Sequence, residues 1–338
     1  MLNWKPIGWM TLVVQLCLCS CLKEETKMES FFKIPSGFTK PLFPADNEYS
    51  ESRFLLGRKL FYDPILSIDS TISCATCHKP EFAFTDRKKV SEGVFGRLGN
   101  RNAPSLANIA YHPYLLREGG VPTLEMQIGV PIQEHNEFDH NILLIADKLN
   151  QQSEYRELSL IAYGRLPDAF VITRSIATFE RSLLCGDTPY DKFINGNSKA
   201  LSPSALNGWK LFNSPDLKCN QCHGDFNFTN YAFANNGLYE DDPDEGRMRL
   251  TGKTEDRSLY KIPSLRNVEI TFPYMHDGSI NTLEEIVAHY ASGGKNNPHK
   301  SALISGFKIT ELQKMELVTF LKSLTDSYFI NNPDYRIQ

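Results

Sequence analysis

The apolar positions along the chain recur mostly at helical spacing. Over Asp168–Leu184 they fall at Ile172, Ile176, Phe179 and Leu183, at intervals of four, three and four residues. Such intervals place side chains in one stripe on a helix, and that stripe packs against the rest of the protein. The alternation that is typical of strands is scarce. The pattern therefore predicts a mainly α fold, with an amphipathic helix in this segment.

Another helix is predicted near the end of the chain, and we expect it to be the last one. Thr310 can cap its first turn, with Gln313 at the capping-box position three residues later. Leu312, Met315 and Leu324 are then expected to supply its apolar contacts.

The N-terminus has the pattern of an export signal with a lipid-attachment site. Lys5 precedes an apolar run at 7–18, which is short for a membrane-spanning helix. The run ends in Leu18-Cys19-Ser20-Cys21, a lipobox whose last cysteine accepts lipid. We expect residues 1–20 to be a signal peptide and 21–40 a tether, with an uncleaved anchor or an ordinary signal peptide as alternatives. The protein would then be a periplasmic or cell-surface lipoprotein held to the membrane through Cys21.

Composition sets limits rather than an activity. The 338 residues carry a net charge of −4, with 41% hydrophobic and 22% charged residues, which is typical of a globular protein. Nothing is basic enough to indicate nucleic-acid binding. The length suffices for two domains that each bury a core.

The spacing of the cysteines gives the strongest chemical signal. Cys74-Ala-Thr-Cys77-His78 and Cys219-Asn-Gln-Cys222-His223 are C-x-x-C-H motifs, the attachment signature of c-type haem. The two thiols bond to the haem vinyl groups, and the adjacent imidazole reaches the iron. A redox dithiol and half of a zinc site are the alternatives. Two motifs behind an export signal favour two covalently bound haems, and Cys185 is left over as a buried thiol.

An internal repeat surrounds the two motifs, which indicates two copies of one haem domain. We place these domains at 41–196 and 197–338, with a boundary where Gly196, Asn197, Ser198 and Pro203 interrupt the chain. The repeated stretches are Gly57–Pro64 with Gly208–Pro215, Pro104–Ile109 with Pro263–Val268, and Gly119–Glu125 with Gly278–Glu284.

The register of the repeat extends to one position that is expected to face each iron. Seven residues after Leu124 lies Pro131, and seven after Leu283 lies Tyr290. A proline cannot ligate iron, whereas a phenol oxygen can. We therefore expect an open iron in the first copy and an iron closed by Tyr290 in the second. An open iron binds a small oxidant, and a six-coordinate iron is suited to passing electrons.

Four further segments resemble blocks of the bacterial dihaem cytochrome c peroxidases and their MauG-like relatives. The resemblance covers roughly Pro41–Asn331 and implies two tandem cytochrome c-like haem domains. It also implies an N-terminal haem that reacts with peroxide and a C-terminal haem that takes up electrons. The segments are Leu56–Phe61, Ala83–Asp86, Arg101–Leu106 and Pro273–Gly278.

The resemblance also implies roles for single residues. Gln127 and Glu137 match the pair beside the peroxidatic haem, with Pro131 between them. A carboxylate there can move a proton between the peroxide oxygens, and an amide can hold the developing charge. For Glu137 the alternative is a solvated surface carboxylate. Asn102 matches a ligand of a Ca²⁺ ion between the haems, completed by backbone carbonyls near 262–264.

The chain departs from the family pattern at three places. No histidine lies between His78 and His112 to block the first haem, and Val94 and Phe95 occupy that loop. Tyr290 stands where the peroxidases use methionine, and Arg117 replaces the tryptophan between the haems. Alternative ligands of the second haem are Met275 and, more remotely, Met248.

These features predict an enzyme that reduces hydrogen peroxide to water. The expected electron donor is a small periplasmic cytochrome c or a cupredoxin, and a homodimer is a further expected partner. A MauG-like oxidase that modifies side chains of another protein is the first alternative, and a plain dihaem electron carrier is the second.

Overall fold

The computed structural model describes residues 1–2 and 31–337. The predicted signal peptide, the lipid-acceptor Cys21 and residues 21–30 of the tether lie outside the described residues. The chain is mainly helical, and the prediction of a mainly α fold is confirmed. Within the described part of the chain, no helix has both the length and the apolar character needed to cross a membrane.

Fourteen α-helices occur within residues 31–337, numbered here in chain order. Short 3₁₀ turns join them at 64–66, 80–82, 94–96, 109–111, 254–256, 268–270 and 333–335. The helices are α1 Glu51–Tyr62, α2 Cys74–Cys77, α3 Leu124–Gln127, α4 Gly129–Gln133, α5 Ile142–Asn150, α6 Ser153–Tyr163, α7 Ala169–Arg181, α8 Pro189–Ile194, α9 Pro203–Phe212, α10 Cys219–Cys222, α11 Met248–Thr251, α12 Leu283–Ser292, α13 Glu311–Lys322 and α14 Ser327–Asn331.

The internal repeat of the sequence is a repeated helix pair in the structure. Helix α1 packs against α7, and α9 packs against α13. The contact depends on a glycine in each copy. A Cβ atom on Gly57 would lie 1.9 Å from the Ser175 carbonyl oxygen, and one on Gly208 would lie 2.0 Å from that of Glu316. Any larger residue would push the helices apart.

Two hydrophobic cores lie behind these helix pairs. The first is centred on Phe54, Phe61 and Phe179, and the second on Phe212 and Phe320. Phe31–Gln338 nevertheless form one compact unit. The end of the chain returns to the first core, since Phe329 and Tyr335 belong to it. The division into domains at 41–196 and 197–338 stays a prediction.

The predicted amphipathic helix is present as α7. Its N-cap Asp168 accepts a hydrogen bond from the Val171 amide at 2.9 Å. The predicted stripe is buried at all of its positions, Ile172, Ile176, Phe179 and Leu183.

The contacts of α13 differ from the prediction. Thr310 and Gln313 form the capping box, but Leu312 and Met315 are 62% and 56% exposed. Packing against Gly208 brings the opposite face of α13 to the core, and that face carries Leu317, Phe320 and Leu321. Leu324 is buried as expected. The short α14 follows, so α13 is not the last helix.

Strand structure within the described residues is limited to one short antiparallel pair. Strand β1, Phe233–Ala234, pairs with β2, Tyr260–Lys261. The described end of the predicted tether, residues 31–40, packs on the folded body. There the Phe31 ring stacks on Phe54 at 5.0 Å, and Phe38 meets Phe226 at 4.8 Å.

Candidate functional site

Each C-x-x-C-H motif forms one helical turn that brings its cysteines to the same side. In α2 the His78 amide donates to the Cys74 carbonyl oxygen at 2.9 Å, and in α10 His223 does the same to Cys219. Residues three apart share a face of a helix, so both thiols point the same way. The histidine follows directly as the C-cap of the turn.

The two histidines are oriented in the same manner. The Nδ1 atom of His78 lies 2.8 Å from the Phe84 carbonyl oxygen, and that of His223 lies 3.2 Å from the Phe228 oxygen. A carbonyl oxygen only accepts, so Nδ1 carries the proton and Nε2 keeps its lone pair. Burial lowers the pKa of both imidazoles, which favours the neutral form.

The arrangement of these groups fits a covalently attached haem at each motif. Metal-binding histidines commonly donate their second ring nitrogen to a carbonyl, as both do here. Phe84 and Phe228 turn their carbonyls inward with positive φ angles of 62° and 51°, a strained conformation for such residues. Among the described residues, none of the four motif cysteines is joined in a disulfide. Across the described residues, no cluster of three His, Cys, Asp or Glu side chains could hold a bare metal ion.

A cavity of about 350 Å³ opens beside the second motif. Its wall includes Cys219, Cys222 and His223, together with both candidate ligands, Tyr290 and Met275. Helix α12 places Tyr290 in its last turn. Burial raises the pKa of the Tyr290 phenol to about 12, and its interaction with the Asn236 side chain opposes that rise.

Asn236 is a residue of this site that the sequence analysis missed. Its amide nitrogen donates to the Met275 sulfur at 2.9 Å, and the same side chain interacts with the Tyr290 phenol. Its backbone oxygen lies 3.0 Å from Nε2 of His289. The segment is polar and aperiodic, so no sequence signal marked it.

The residues predicted for the first site lie in α3, α4 and the turn that follows. Gln127 ends α3, Pro131 lies in α4, and Glu137 lies in the turn, where its amide donates to the Glu134 carbonyl oxygen at 2.9 Å. The negative charge of Glu137 contributes to raising the pKa of Cys74 and Cys77, after the larger effect of burial. Glu137 therefore lies within electrostatic range of the first haem motif.

The Glu137 carboxyl is suited to proton transfer near neutral pH. The Glu137 side chain is exposed, as the alternative of a surface carboxylate requires. The protein around its carboxyl group nevertheless raises its pKa to about 7 by desolvation, with a smaller contribution from the charge of Glu134. A catalytic acid or base works best when its pKa is near the working pH.

The loop that would carry a blocking histidine is fastened to the Glu137 turn. The Val94 amide donates to the Glu137 carbonyl oxygen at 3.0 Å, and Val94 is fully buried while Phe95 is exposed. Gly93 permits this approach, because a Cβ atom there would lie 2.8 Å from Cα of Glu137. Arg97 adds an ion pair with Asp139 at 2.6 Å.

A buried ion pair fixes the helix that carries Gln127. Glu125 of α3 accepts from both terminal nitrogens of Arg181 in α7, at 2.9 and 3.0 Å. Burial alone would raise the Glu125 pKa, but the hydrogen bonds from Arg181 more than offset this, so the pKa is lowered. Breaking such a pair costs about 3–5 kcal/mol.

Glu180 is a second residue that the sequence analysis missed. It is only 5% exposed, and its Oε2 atom has no hydrogen-bond partner among the described residues. Burial raises its pKa to about 8, and its charge acts on Cys74. In the sequence nothing distinguishes it from the solvent-facing charged residues of an amphipathic helix.

The predicted calcium ligand Asn102 is engaged by the protein itself. Its amide nitrogen donates to the Pro273 carbonyl oxygen at 2.8 Å, and its side-chain oxygen accepts from Arg117. Arg117 also donates to the Asn102 backbone oxygen at 3.0 Å. The groups present around Asn102 therefore do not fit a calcium ion, since a cationic side chain already binds the expected ligand oxygen.

The leftover Cys185 is fully buried. Its sulfur accepts from the Asn267 amide nitrogen at 3.2 Å. Burial raises the pKa of this thiol well above the usual value. The thiol therefore stays protonated and unreactive.

Comparison with known proteins points to one family. The family described as di-haem cytochrome c peroxidase matches residues 51–199. The methylamine utilization protein MauG of Methylorubrum extorquens is 32% identical over 83% of this chain and 80% of its own. The cytochrome c551 peroxidase of Nitrosomonas europaea is 31% identical over 83% of this chain and 81% of its own.

A solved structure agrees with these relatives. A MauG-like protein described as associated with microbial copper homeostasis superposes with a TM-score of 0.86 and 32% identity. The superposition covers 90% of this chain and 97% of that protein. The shared fold therefore extends over most of both chains.

Proposed function

Since this chain belongs to the di-haem cytochrome c peroxidase and MauG family, we propose that it reduces hydrogen peroxide to water. Each peroxide takes up two electrons and two protons and gives two molecules of water. The electrons come from a small periplasmic cytochrome c or cupredoxin. The observation that carries this proposal is Glu137, whose pKa is raised to about 7 by desolvation and whose charge acts on Cys74 and Cys77 of the first C-x-x-C-H motif.

The first site would act on peroxide through its own side chains. Cys74 and Cys77 would attach the haem, His78 would ligate its iron through Nε2, and the haem would supply the electrons that cleave the oxygen–oxygen bond. Glu137 takes a proton from one peroxide oxygen on its carboxylate and returns it to the other, which leaves as water. The Gln127 amide donates to the developing charge.

Access to the first site is open in this proposal. The proline at 131 cannot bind iron, and Val94 and Phe95 stand in the loop where a histidine could. Because that loop is fastened to the backbone of Glu137, we expect it to keep one position. The site should therefore react without prior reduction of the other haem.

The second site would receive the electrons. Cys219 and Cys222 would attach the second haem, with His223 on one face and Tyr290 on the other. The shared cavity wall of His223 and Tyr290 supports this assignment. Met275 is the weaker candidate because its sulfur already accepts a hydrogen bond from Asn236.

The direct test is peroxide-dependent oxidation of a reduced small cytochrome c by the protein with both haems attached. We expect two cytochromes oxidised per peroxide consumed. A protein that carries two haems but leaves reduced cytochrome c unchanged on adding peroxide would not be a peroxidase. If its haem spectrum also stays unchanged when peroxide is added, the protein is a plain electron carrier.

A second candidate function is oxidation of side chains on another protein. A tyrosine rather than a methionine in the second cavity favours it, because an anionic oxygen ligand stabilises Fe(III) and lowers the potential. Two of the compared proteins are MauG or MauG-like. In that case peroxide should change the haem spectrum, and reduced cytochrome c should compete poorly for the oxidising equivalents.

Some assignments rest on the sequence alone. We propose that the protein is exported and anchored by lipid on Cys21, in the periplasm or at the cell surface. A homodimer stays a prediction. The contacts of Asn102 do not fit the Ca²⁺ ion predicted there, and they lead to a different proposal.

A further inference from the structure

We propose that the guanidinium of Arg117 takes the place of the Ca²⁺ ion expected at Asn102 and donates a hydrogen bond from its Nε atom to a haem carboxylate. This inference rests on the proposed function only in that the second motif carries a haem. It assigns to Arg117 the positive charge between the two haem sites.

The contacts of Asn102 fix where the arginine lies. The Asn102 backbone amide donates to the His276 carbonyl oxygen at 3.3 Å, and its side-chain nitrogen donates to Pro273. The side-chain oxygen is thereby turned toward Arg117, whose Nη2 atom donates to both oxygens of Asn102. The residue thus has all of its polar groups engaged.

A calcium ion would compete directly with this nitrogen. Ca²⁺ needs six to eight oxygen ligands at about 2.3–2.6 Å, and the Asn102 oxygen would have to be one of them. The guanidinium occupies that side of the oxygen and repels a second cation. Arg117 is itself held in place, because its carbonyl oxygen accepts from the Lys261 amide at 2.7 Å.

The Nε donor of Arg117 is available for an anion. Its Nε atom is buried and has no hydrogen-bond partner within residues 31–337. The neighbouring carboxylate, Glu118, pairs with Arg101 at 2.6 Å and with Arg249. A guanidinium offers five donors in a plane and suits a carboxylate.

The charge of the cavity points to the same occupant. Its wall includes Arg117, Lys218, Lys261 and Arg266, and none of its described lining residues is Asp or Glu. Arg266 is neutralised by Asp191 at 2.8 Å. The Lys261 ammonium instead meets the Tyr114 carbonyl oxygen at 2.7 Å and His112 at 3.0 Å.

The wall is therefore short of negative charge where Arg117 and Lys261 lie. The same cavity is lined by Cys219, Cys222 and His223. A haem attached there brings two carboxylates, which supply the missing counter-charge.

The calcium part of the inference is tested on the wild-type protein with both haems attached. The protein is equilibrated with calcium chloride, desalted and assayed for calcium per chain. We expect no retained calcium, and EGTA should leave the thermal unfolding temperature and the EPR spectrum unchanged. One retained calcium per chain, whose removal by EGTA alters the EPR spectrum, would overturn the proposal.

The carboxylate part is tested with Arg117→Met. Removal of a positive charge near a haem disfavours its reduction, so the potential of the second haem should shift downward while that of the first stays unchanged. Arg257→Met is the matched control, because Arg257 is outside the cavity wall and pairs with the exposed Asp241 at 3.5 Å. Unchanged potentials in the Arg117→Met protein would contradict the assignment.

Arg117→Lys separates charge from packing. It keeps the positive charge and should restore most of the lost potential. A lysine variant whose potential falls as far as that of the methionine variant would show a packing effect and would overturn the carboxylate contact. Haem content per chain is measured first in every variant. A protein with two haems that fails to react with peroxide would contradict the proposed function. Its calcium content and its haem potentials would still test the two parts of the proposal for Arg117.

Discussion

The side-chain amide of Asn236 donates a hydrogen bond to the sulfur of Met275 across 2.9 Å. That bond engages the thioether which would otherwise compete with Tyr290 for the haem at His223. The same asparagine also touches the Tyr290 phenol. Asn236 therefore favours Tyr290 over Met275 as the ligand of the second iron.

Replacing Tyr290 with methionine should raise the potential of the second haem. A thioether ligand favours Fe(II), whereas a phenolate favours Fe(III). Redox titration of the two haems measures the change, and Met275→Leu is the control that should leave both potentials as they are. If Tyr290→Met has no effect and Met275→Leu does, then Met275 is the ligand.

The resting ferric protein should contain one high-spin and one low-spin haem. Pro131 leaves the first iron without a sixth protein ligand, and Tyr290 fills that position at the second. EPR at low temperature separates the two signals. A spectrum with two low-spin haems and no high-spin signal would contradict the open first site.

The reaction with peroxide should depend on pH through Glu137. The ionised carboxyl is the base, so the rate should fall as the pH decreases through about 7. Glu134 is exposed, and its charge raises the Glu137 pKa. Glu134→Gln should therefore move the midpoint of the rate profile to lower pH without abolishing the reaction. An unshifted midpoint would mean that another group controls the rate.

Glu180 should make the folded protein less stable as the pH rises. Its folded pKa of about 8 exceeds the ordinary 4.5, so the folded chain binds more protons than the unfolded chain between these values. The stability present below the ordinary pKa is then lost as the pH rises through the folded pKa. Thermal unfolding of wild type and Glu180→Gln from about pH 5 to about pH 9 tests this.

The informative quantity is how steeply the free energy of unfolding changes with pH in each of the two proteins. The wild type should lose up to about 1.4 kcal/mol per pH unit relative to the glutamine variant. The constant cost of burying an amide shifts the whole curve and leaves the slope unaffected. Parallel curves for the two proteins would show that Glu180 is ionised in the folded state throughout.

The sequence predicted the parts of the fold that depend on local pattern. The stripe in α7 and the cap of α13 follow from helical spacing and capping residues, and the structure contains both. The repeat located Gly57 and Gly208, although only the structure shows that each receives a backbone carbonyl from the facing helix.

The features that the sequence did not predict depend on contacts between distant segments. Leu312 and Met315 share a helix with the buried residues, and the packing of Gly208 decides which face of that helix is covered. Asn236 meets Met275, 39 residues later. Arg117 reaches Asn102 instead of simply filling the place of a tryptophan. A local sequence pattern does not predict contacts between residues that are far apart in the chain.

Glu137→Gln is the measurement that tests the proposed peroxidase chemistry most directly. The amide is nearly isosteric, so haem content and fold should be retained. We expect the haem absorbance change on stopped-flow mixing with peroxide to slow by about 10²–10⁴-fold, while Gln127→Ala slows it less because water can replace an amide donor. A Glu137→Gln protein that reacts at the wild-type rate would remove Glu137 from the mechanism and contradict the account.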